Sequence, residues 1–299
     1  MNNNASITAL MSAFGRAYHA EYDKSPVFSD FEAKRLLTNA EYENMKRYLL
    51  DGIGFFEPNK EFEDPKEALL YIVNTYIAAT PLCRSAYCER ALMTSLKSGT
   101  EQYVILGAGL DTFALRNKAF LKKHKVYEID RRQTQQDKIK RMKNAGFEIL
   151  PNHIFAEVDF NSESLFEKLT ECGFDKNKKT FFSLLGVSYY LRRSETENLL
   201  KEIAKASSDG STLVFDYADE GAFFSKDSRA SGMVKMAKGG GEEMKSSYNY
   251  MSMDNMLSDF GFLIYEFMTP KDIQRDIIGA RNMTAFPNIN YVQAVFKRR

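Results

Sequence analysis

Two kinds of hydrophobic pattern divide the chain. Over residues 1–98, apolar side chains recur every three or four positions in SITALMSAFGRAYHAEY, FEAKRLL, EYENMKRYLL and EALLYIVNTYIAAT. This spacing places apolar residues on one face of a helix. Pro26, Pro58, Pro65 and Pro81 separate the segments. We therefore predict that residues 1–98 form a mostly helical N-terminal region.

From residue 101 onward, short apolar runs alternate with helical stretches. The runs are QYVILG, KVYEID, HIFAEVDF, TFFSLLGV and STLVFDYAD. Five such alternations are typical of a parallel sheet covered by helices on both faces. FLIYEFMT and YVQAVFKR add two closing strands. We predict an α/β fold with a mostly parallel seven-stranded sheet, helices on both faces and a helical N-terminal extension.

The predicted domain organisation follows from these patterns and from one change in composition. Residues 221–249 are rich in glycine, serine and lysine (AKGGGEEMKSS), which is typical of a lid or mobile loop. We expect a helical cap or lid over residues 1–98 and a core over 99–299, with 221–249 as a lid insertion. The helix before the fifth strand carries the capping pattern Ser194-Glu-Thr-Glu197.

Composition excludes several classes of function. Lysine plus arginine (41) balances aspartate plus glutamate (40), whereas a nucleic-acid-binding protein usually has a strongly basic face. No window approaches the roughly 18 apolar residues of a membrane span, and MNNNASITAL does not resemble a signal peptide. We expect a cytoplasmic protein with no nucleic-acid or membrane partner. The oligomeric state cannot be predicted from the sequence.

Cysteine and histidine are sparse and show no metal-ligand spacing. They are Cys83, Cys88, Cys172, His19, His124 and His153. An odd number of unpaired cysteines fits a reducing compartment. We therefore expect no metal site.

The stretch VILGAGLDT (104–112) carries the strongest chemical signal. A strand candidate leads into Gly107-Ala108-Gly109 and then into a helix, and such glycines let a ligand approach the backbone. Asp130 ends the next strand about 20 positions later, the spacing at which an acid binds ribose hydroxyls. The motif predicts an adenosine-type ligand; a tight turn without a ligand is the alternative.

The third glycine of the dinucleotide-binding motif distinguishes a nicotinamide dinucleotide from S-adenosylmethionine. Thr112 stands where Gly-x-Gly-x-x-Gly has its last glycine, and Asp111 beside it would repel a pyrophosphate. S-adenosylmethionine has no phosphate. The motif therefore favours S-adenosylmethionine over a nicotinamide cofactor, and a nicotinamide-dependent oxidoreductase is the alternative.

YVILGAGLDTFALR resembles the signature of the leucine carboxyl methyltransferase superfamily, which includes polyketide O-methyltransferase-like proteins. The resemblance covers about residues 10–220. SAFGRAYHAEYDKSPVFSDFEAKRLL is similar to the family's N-terminal segment, CRSAYCERAL to its arginine-bearing helix, and VYEID and VDF to its second and third strands. This resemblance implies a Rossmann-like class I methyltransferase fold and methyl transfer from S-adenosylmethionine (EC 2.1.1).

The resemblance also implies roles for individual residues. Arg84 would bind the methionine carboxylate of the cofactor, and Asp130 would bind the ribose hydroxyls. Asp159 would accept a hydrogen bond from the adenine amino group. The implied cofactor-binding residues are Arg84, Gly107, Ala108, Gly109, Asp130, Asp159, Phe160 and Leu185. A surface ion pair is the alternative role for Arg84, and a helix N-cap is the alternative for Asp159.

One position departs from the family pattern. Family members carry glutamate in Glu-Gly-Val-x-x-Tyr-Leu, whereas this chain has Leu185 at the first position. Leucine cannot accept a hydrogen bond or offset the sulfonium charge, which affects the expected cofactor affinity or acceptor type. Tyr190 is retained and is the catalytic candidate, at the edge of the methyl group; a buried structural aromatic is the alternative.

Methyl transfer from a sulfonium requires mainly alignment and exclusion of water. A carboxylate acceptor needs no general base, whereas a hydroxyl benefits from one. His19, Tyr22, His153 and Glu220 are the only candidates, and none is marked by a motif. We expect an O-methyltransferase for a small-molecule carboxylate or hydroxyl. The alternatives are a protein carboxyl methyltransferase and a non-catalytic binder of the cofactor.

Overall fold

The computed structural model describes residues 6–57, 59–224, 229, 232 and 242–298. Seven strands form one sheet: β1 (Gln102–Leu106), β2 (Lys125–Asp130), β3 (His153–Glu157), β4 (Thr180–Leu184), β5 (Thr212–Ala218), β6 (Phe262–Met268) and β7 (Ile289–Phe296). Their order is β3-β2-β1-β4-β5-β7-β6. Pairs among β1–β5 are parallel, and β7 runs antiparallel between β5 and β6. The predicted seven-stranded, mostly parallel sheet is confirmed.

Helices precede the sheet and then alternate with its strands. Those before β1 are α1 (Ile7–Tyr22), α2 (Glu32–Arg35), α3 (Asn39–Asp51), α4 (Ile53–Phe56), α5 (Pro65–Ile72) and α6 (Ala79–Lys97), with a π-helical turn at Val73–Ile77. The later ones are α7 (Phe113–Arg116), α8 (Lys118–Leu121), α9 (Arg132–Asn144), α10 (Leu165–Glu171), α11 (Arg193–Ala206), α12 (Tyr250–Asp259) and α13 (Pro270–Ile273), with a π-helical turn at Gln274–Ile278 and 3₁₀ turns at Ser188–Tyr190 and Ala222–Phe224. The predicted helical N-terminal extension is confirmed.

Apolar side chains cover both faces of the sheet. Along β1, Tyr103 and Ile105 join the core formed with α1 and α6, whereas Val104 and Leu106 join the core formed with α10, α11 and α12. Successive side chains of a strand point to opposite faces, so every residue of β1 is buried. Continuous apolar runs in the sequence therefore mark the central strands.

A buried ion pair fixes α1 against the loop that follows β1. Arg16 Nη1 lies 2.8 Å from Asp30 Oδ2, and Arg16 Nη2 donates to the carbonyl of Leu110 at 2.8 Å. Thr112 Oγ1 donates to the same Asp30 oxygen at 2.7 Å. Removing one partner of a buried charge pair costs about 3–5 kcal/mol. The N-terminal helices are thus tied to the glycine loop.

Two expectations about local structure need comment. The capping predicted for Ser194 and Glu197 is wrong, because α11 starts earlier and the Arg192 amide donates to Glu195 Oε2 at 2.6 Å. Within the predicted lid insertion, residues 225–228, 230, 231 and 233–241 lie outside the described residues. The cap and lid roles stay predictions.

Candidate active site

A cavity of about 570 Å³ lies at the carboxyl ends of β1, β2 and β4. Strand order reverses between β1 and β4, and ligands of open α/β sheets bind at such a reversal. Eight of the residues singled out in the sequence line this cavity: Arg84, Gly107, Ala108, Gly109, Asp130, Phe160, Leu185 and Tyr190. The fold therefore brings together residues that are spread over more than a hundred positions of sequence.

The glycine loop forms the floor of the cavity. Gly107 and Gly109 have φ angles of +67° and +48°, in the left-handed region that disfavours side chains. The amides of Gly107 and Ala108 both donate to the Ile129 carbonyl, at 2.8 and 3.1 Å. A Cβ on Gly107 would lie 2.4 Å from Val187 Cγ2. Glycine at 107 is thus required by backbone conformation and by packing.

Asp130 ends β2 and faces the glycine loop. Its Oδ2 accepts from the Gly109 amide at 2.6 Å, and its Oδ1 accepts from the Arg131 amide at 2.7 Å. Burial raises the pKa of this carboxyl group, while the two amide hydrogen bonds act in the opposite direction. Each carboxylate oxygen has a further lone pair. Asp130 can therefore still accept from a diol in the cavity.

Arg84 reaches the cavity from α6. Its Nη1 donates to the Tyr189 hydroxyl at 3.1 Å and to Asp216 Oδ2 at 3.3 Å. Burial opposes the charge, but Tyr189 and Asp216 outweigh burial and raise the pKa of Arg84. The Arg84 side chain is 15% exposed and that of Asp216 is fully buried. Arg84 therefore does form an ion pair, but a mostly buried one rather than the surface pair of the alternative, and its role in cofactor binding stays a prediction.

The loop after β4 forms the opposite wall. Leu185 and Tyr190 are both partly buried there, and the Tyr190 ring packs edge-on against Tyr189 with centroids 4.8 Å apart. Burial raises the pKa of Tyr190 to about 12, so its hydroxyl stays protonated at neutral pH. Nearby in the same wall, Thr8 Oγ1 donates to Glu242. This part of the cavity offers hydroxyl groups and the carboxylates of Glu242 and Glu243.

Asp159 is not brought to the cavity wall. β3 ends at Glu157, and the Asp159 Oδ1 accepts from the Asn161 amide at 3.0 Å in the turn that follows. The side chain is 44% exposed. Ser164 caps α10, so Asp159 is not the N-cap. Adenine binding by Asp159 stays a prediction.

The four candidate bases lie away from the described cavity walls. His19 Nε2 accepts from the Val27 amide at 3.1 Å, and burial lowers the pKa of this histidine. His153 Nε2 lies 2.8 Å from the buried Glu128. Glu220 accepts from an amide side chain at 2.9 Å, and the Tyr22 ring packs 4.4 Å from a neighbouring tyrosine ring. Each of these side chains has a structural partner.

Asp216, the buried partner of Arg84, is a residue that sequence reasoning missed. It lies within β5, 132 positions from Arg84, and no motif marks it. The only available signal was an acidic residue inside the apolar run STLVFDYAD, since buried charges are usually paired.

The described residues can also be searched for a membrane span, a metal site and disulfides. None of the described helices has the length and apolar character to cross a membrane. The part of the chain that the structure describes contains no group of three or more histidine, cysteine, aspartate or glutamate residues suited to a metal ion. All three cysteines are free.

A family model described as leucine carboxyl methyltransferase matches residues 9–204, which include the glycine loop, Arg84 and Asp130. The chain belongs to the leucine carboxyl methyltransferase family. A Bacillus subtilis relative, named "Putative S-adenosyl-L-methionine-dependent methyltransferase YktD", is 42% identical over 305 aligned residues, with 99% of each chain covered. A Mycobacterium marinum protein of the same description is 27% identical and covers 71% of this chain and 63% of its own.

Membership of the leucine carboxyl methyltransferase family confirms the predicted enzyme class and cofactor: the chain is an S-adenosylmethionine-dependent methyltransferase (EC 2.1.1). Among solved structures, a DUF574 family protein from Streptomyces avermitilis superposes with a TM-score of 0.55, covering 83% of this chain and 97% of its own. Its sequence is 11% identical, so the likeness concerns the fold alone.

Proposed function

We propose that this methyltransferase binds S-adenosylmethionine across the glycine loop and transfers the methyl group to an oxygen atom of a small-molecule carboxylate or hydroxyl. The observation that carries the proposal is that Arg84 and Asp130 line one cavity together with Gly107 and Gly109. A guanidinium suits the methionine carboxylate, and a carboxylate suits the ribose hydroxyls. The cofactor would thus be held at both ends.

The bound cofactor supplies an activated sulfonium methyl. The acceptor oxygen forms the new C–O bond as the C–S bond breaks, and sulfur keeps the electron pair of that bond. The chain's residues orient both partners and exclude water. Leu185 and Tyr190 would border the methyl, with the Tyr190 hydroxyl donating to the acceptor.

Two features support a small oxygen acceptor. A cavity of about 570 Å³ is of ordinary size for a small-molecule site and must hold the acceptor beside the cofactor. The described walls contain no histidine, and Tyr190 is too weakly acidic to serve as a base near neutral pH. A carboxylate arrives ionised and needs no base. A hydroxyl acceptor would use Glu242 or solvent for its proton.

The cofactor arm of this proposal is tested by calorimetric titration of the full chain with S-adenosylhomocysteine. We expect Asp130→Asn to weaken binding at least tenfold, because the ribose loses a charged acceptor. Asp209→Asn serves as the matched carboxyl-to-amide control, in an exposed side chain that does not line the cavity. Asp159→Asn separately tests the adenine prediction. Unchanged binding by Asp130→Asn would contradict the assignment.

The acceptor arm is tested by transfer of a tritiated methyl group to a panel of carboxylic acids, phenols, alcohols, amines and free peptide C-termini. Methyl esters release methanol in base, whereas methyl ethers do not, so the volatile counts separate the two oxygen acceptors. Transfer confined to amines would refute the proposal. Transfer confined to peptide C-termini would favour a protein carboxyl methyltransferase.

We also propose that the described residues of the ranges 1–98 and 221–249 roof the acceptor part of the cavity over the core of residues 99–299. Met11 of α1, Tyr76 and the segment 242–245 line the described wall on that side. Met11→Ala should raise the KM of the identified acceptor while leaving the affinity for S-adenosylhomocysteine within twofold. An unchanged acceptor KM would speak against the roof.

A further inference from the structure

We propose that Asp216 is a positioning residue, which fixes the Arg84 guanidinium so that its free edge is presented to the carboxylate of the cofactor. This inference rests on the proposed role of Arg84. Asp216 does not line the cavity, so it can affect a ligand only through the lining residues that its carboxylate holds, Arg84 and Gly186. The family match ends at residue 204, before Asp216.

Asp216 connects three elements at one point. Its Oδ2 accepts from Arg84 Nη1 of α6 at 3.3 Å, and its Oδ1 accepts from the Gly186 amide at 2.6 Å. Its own carbonyl accepts from the Ser188 hydroxyl at 2.6 Å. The residue itself sits in β5 and is fully buried. Its carboxylate therefore fixes the guanidinium relative to the loop after β4.

The space around the guanidinium is shaped for this contact. Gly186 has a φ angle of +73°, and a Cβ there would lie 2.4 Å from Arg84 Nη1 and 2.5 Å from Nη2. The Tyr189 hydroxyl accepts from Nη1 at 3.1 Å. The flat guanidinium thus lies directly against backbone, where any side chain at position 186 would displace it.

This arrangement occupies only one corner of the guanidinium. Nη1 donates to Tyr189 and Asp216, whereas Nε and Nη2 have no hydrogen-bond acceptor among the described residues. Arg84 lines the cavity. A guanidinium presents five N–H donors in a planar fork, and fixing one corner orients the rest before a carboxylate arrives.

A second physical effect of Asp216 has the opposite sign. Its negative charge offsets that of Arg84 and weakens the attraction for a ligand carboxylate. If neutralisation dominated, removing the charge would strengthen cofactor binding. If positioning dominates, as we propose, removing it weakens binding. The sign of the affinity change therefore separates the two roles.

The test compares two ligands that differ in the amino-acid portion. S-adenosylhomocysteine carries the carboxylate, whereas 5′-methylthioadenosine lacks it. For Asp216→Asn in the full chain, we expect calorimetry to show about tenfold weaker binding of S-adenosylhomocysteine and a change of less than twofold for 5′-methylthioadenosine. Arg84→Lys should show the same selectivity, and the double variant should lose little more, because the two residues act as one unit.

Glu89→Gln is the matched control, since Glu89 also lies on α6 and pairs with Arg116 rather than with Arg84. It should leave the ratio of the two affinities unchanged. If Asp216→Asn does not fold, Tyr189→Phe carries the test, because it removes the other acceptor of Nη1 and should shift the ratio in the same direction.

Three outcomes would overturn the inference: equal weakening of both ligands, unchanged binding of S-adenosylhomocysteine, or tighter binding of it. Failure of the unaltered chain to bind S-adenosylhomocysteine would instead contradict the proposed cofactor site.

Discussion

Replacing Gly107 with alanine should lower the free energy of unfolding by about 3 kcal/mol. The left-handed backbone at φ +67° costs a non-glycine residue roughly 1–2 kcal/mol. The new Cβ would also lie 2.4 Å from Val187 Cγ2, and overpacking of this kind costs about 1–3 kcal/mol. The two contributions are separable because other glycines of this chain share the backbone conformation without the contact.

Gly146 provides that separation. Its φ angle is +73°, and a Cβ there would meet nothing within 4 Å. Urea denaturation of the full chain should therefore give a loss of about 1 kcal/mol for Gly146→Ala, the backbone cost alone. Gly107→Ala should lose about 2 kcal/mol more, and combining it with Val187→Ala should recover part of that difference. Equal losses for the two single variants would refute the packing described for the glycine loop.

Three further results are expected. Arg16→Ala should lower the free energy of unfolding by about 2 kcal/mol in the same titration, because Asp30 loses one buried charged partner but keeps Arg116, whose Nε lies 3.4 Å from Asp30 Oδ1; a loss below about 1 kcal/mol, the size typical of surface pairs, would contradict this. Hydrogen bonds from the Arg141 guanidinium on α9 lower the pKa of Glu41 from 4.5 to about 2. The stabilisation that the Glu41 carboxylate contributes should therefore be lost as the pH falls from about 4.5 to about 2, and the urea midpoint should depend less on pH in Glu41→Gln than in the unaltered chain. Cys83 and Cys88 of α6 are buried, which raises the pKa of both thiols, whereas Cys172 is partly exposed although burial raises its pKa as well. Because access to the sulfur then decides the reaction, a thiol reagent at pH 8 should modify only Cys172 in the folded chain and all three thiols in urea; three reactive thiols without urea would show that α6 is not packed as described.

Local pattern was enough to predict the sheet and the position of the cavity. Each strand is a short apolar run bounded by helical periodicity, and the glycines and Asp130 stand at strand ends, where a parallel sheet gathers its functional groups. Strand order and the antiparallel insertion of β7 were not predicted, because they depend on pairing between distant segments.

Contacts made over long sequence distances were also missed. Asp30 lies 82 positions from its partner Thr112, and Asp216 lies 132 positions from Arg84. The sequence around Asp30 and Asp216 contains no pattern that predicts which distant residue each of them contacts. Asp159 was matched by a motif, but β3 ends two residues before it and its side chain turns to a neighbouring amide.

The contact between Arg16 and the Leu110 carbonyl has a consequence for redesign of this enzyme. A substitution that tilts or shifts α1 to admit a bulkier acceptor would also displace the backbone of the glycine loop, which we propose holds the nucleoside. A change in acceptor selectivity that is made by moving α1 is therefore expected to change the affinity for the methyl donor as well. Libraries aimed at new acceptors should instead vary Tyr76 of the π-helical turn, which lines the same cavity and whose hydroxyl donates to the Phe56 carbonyl rather than to the loop.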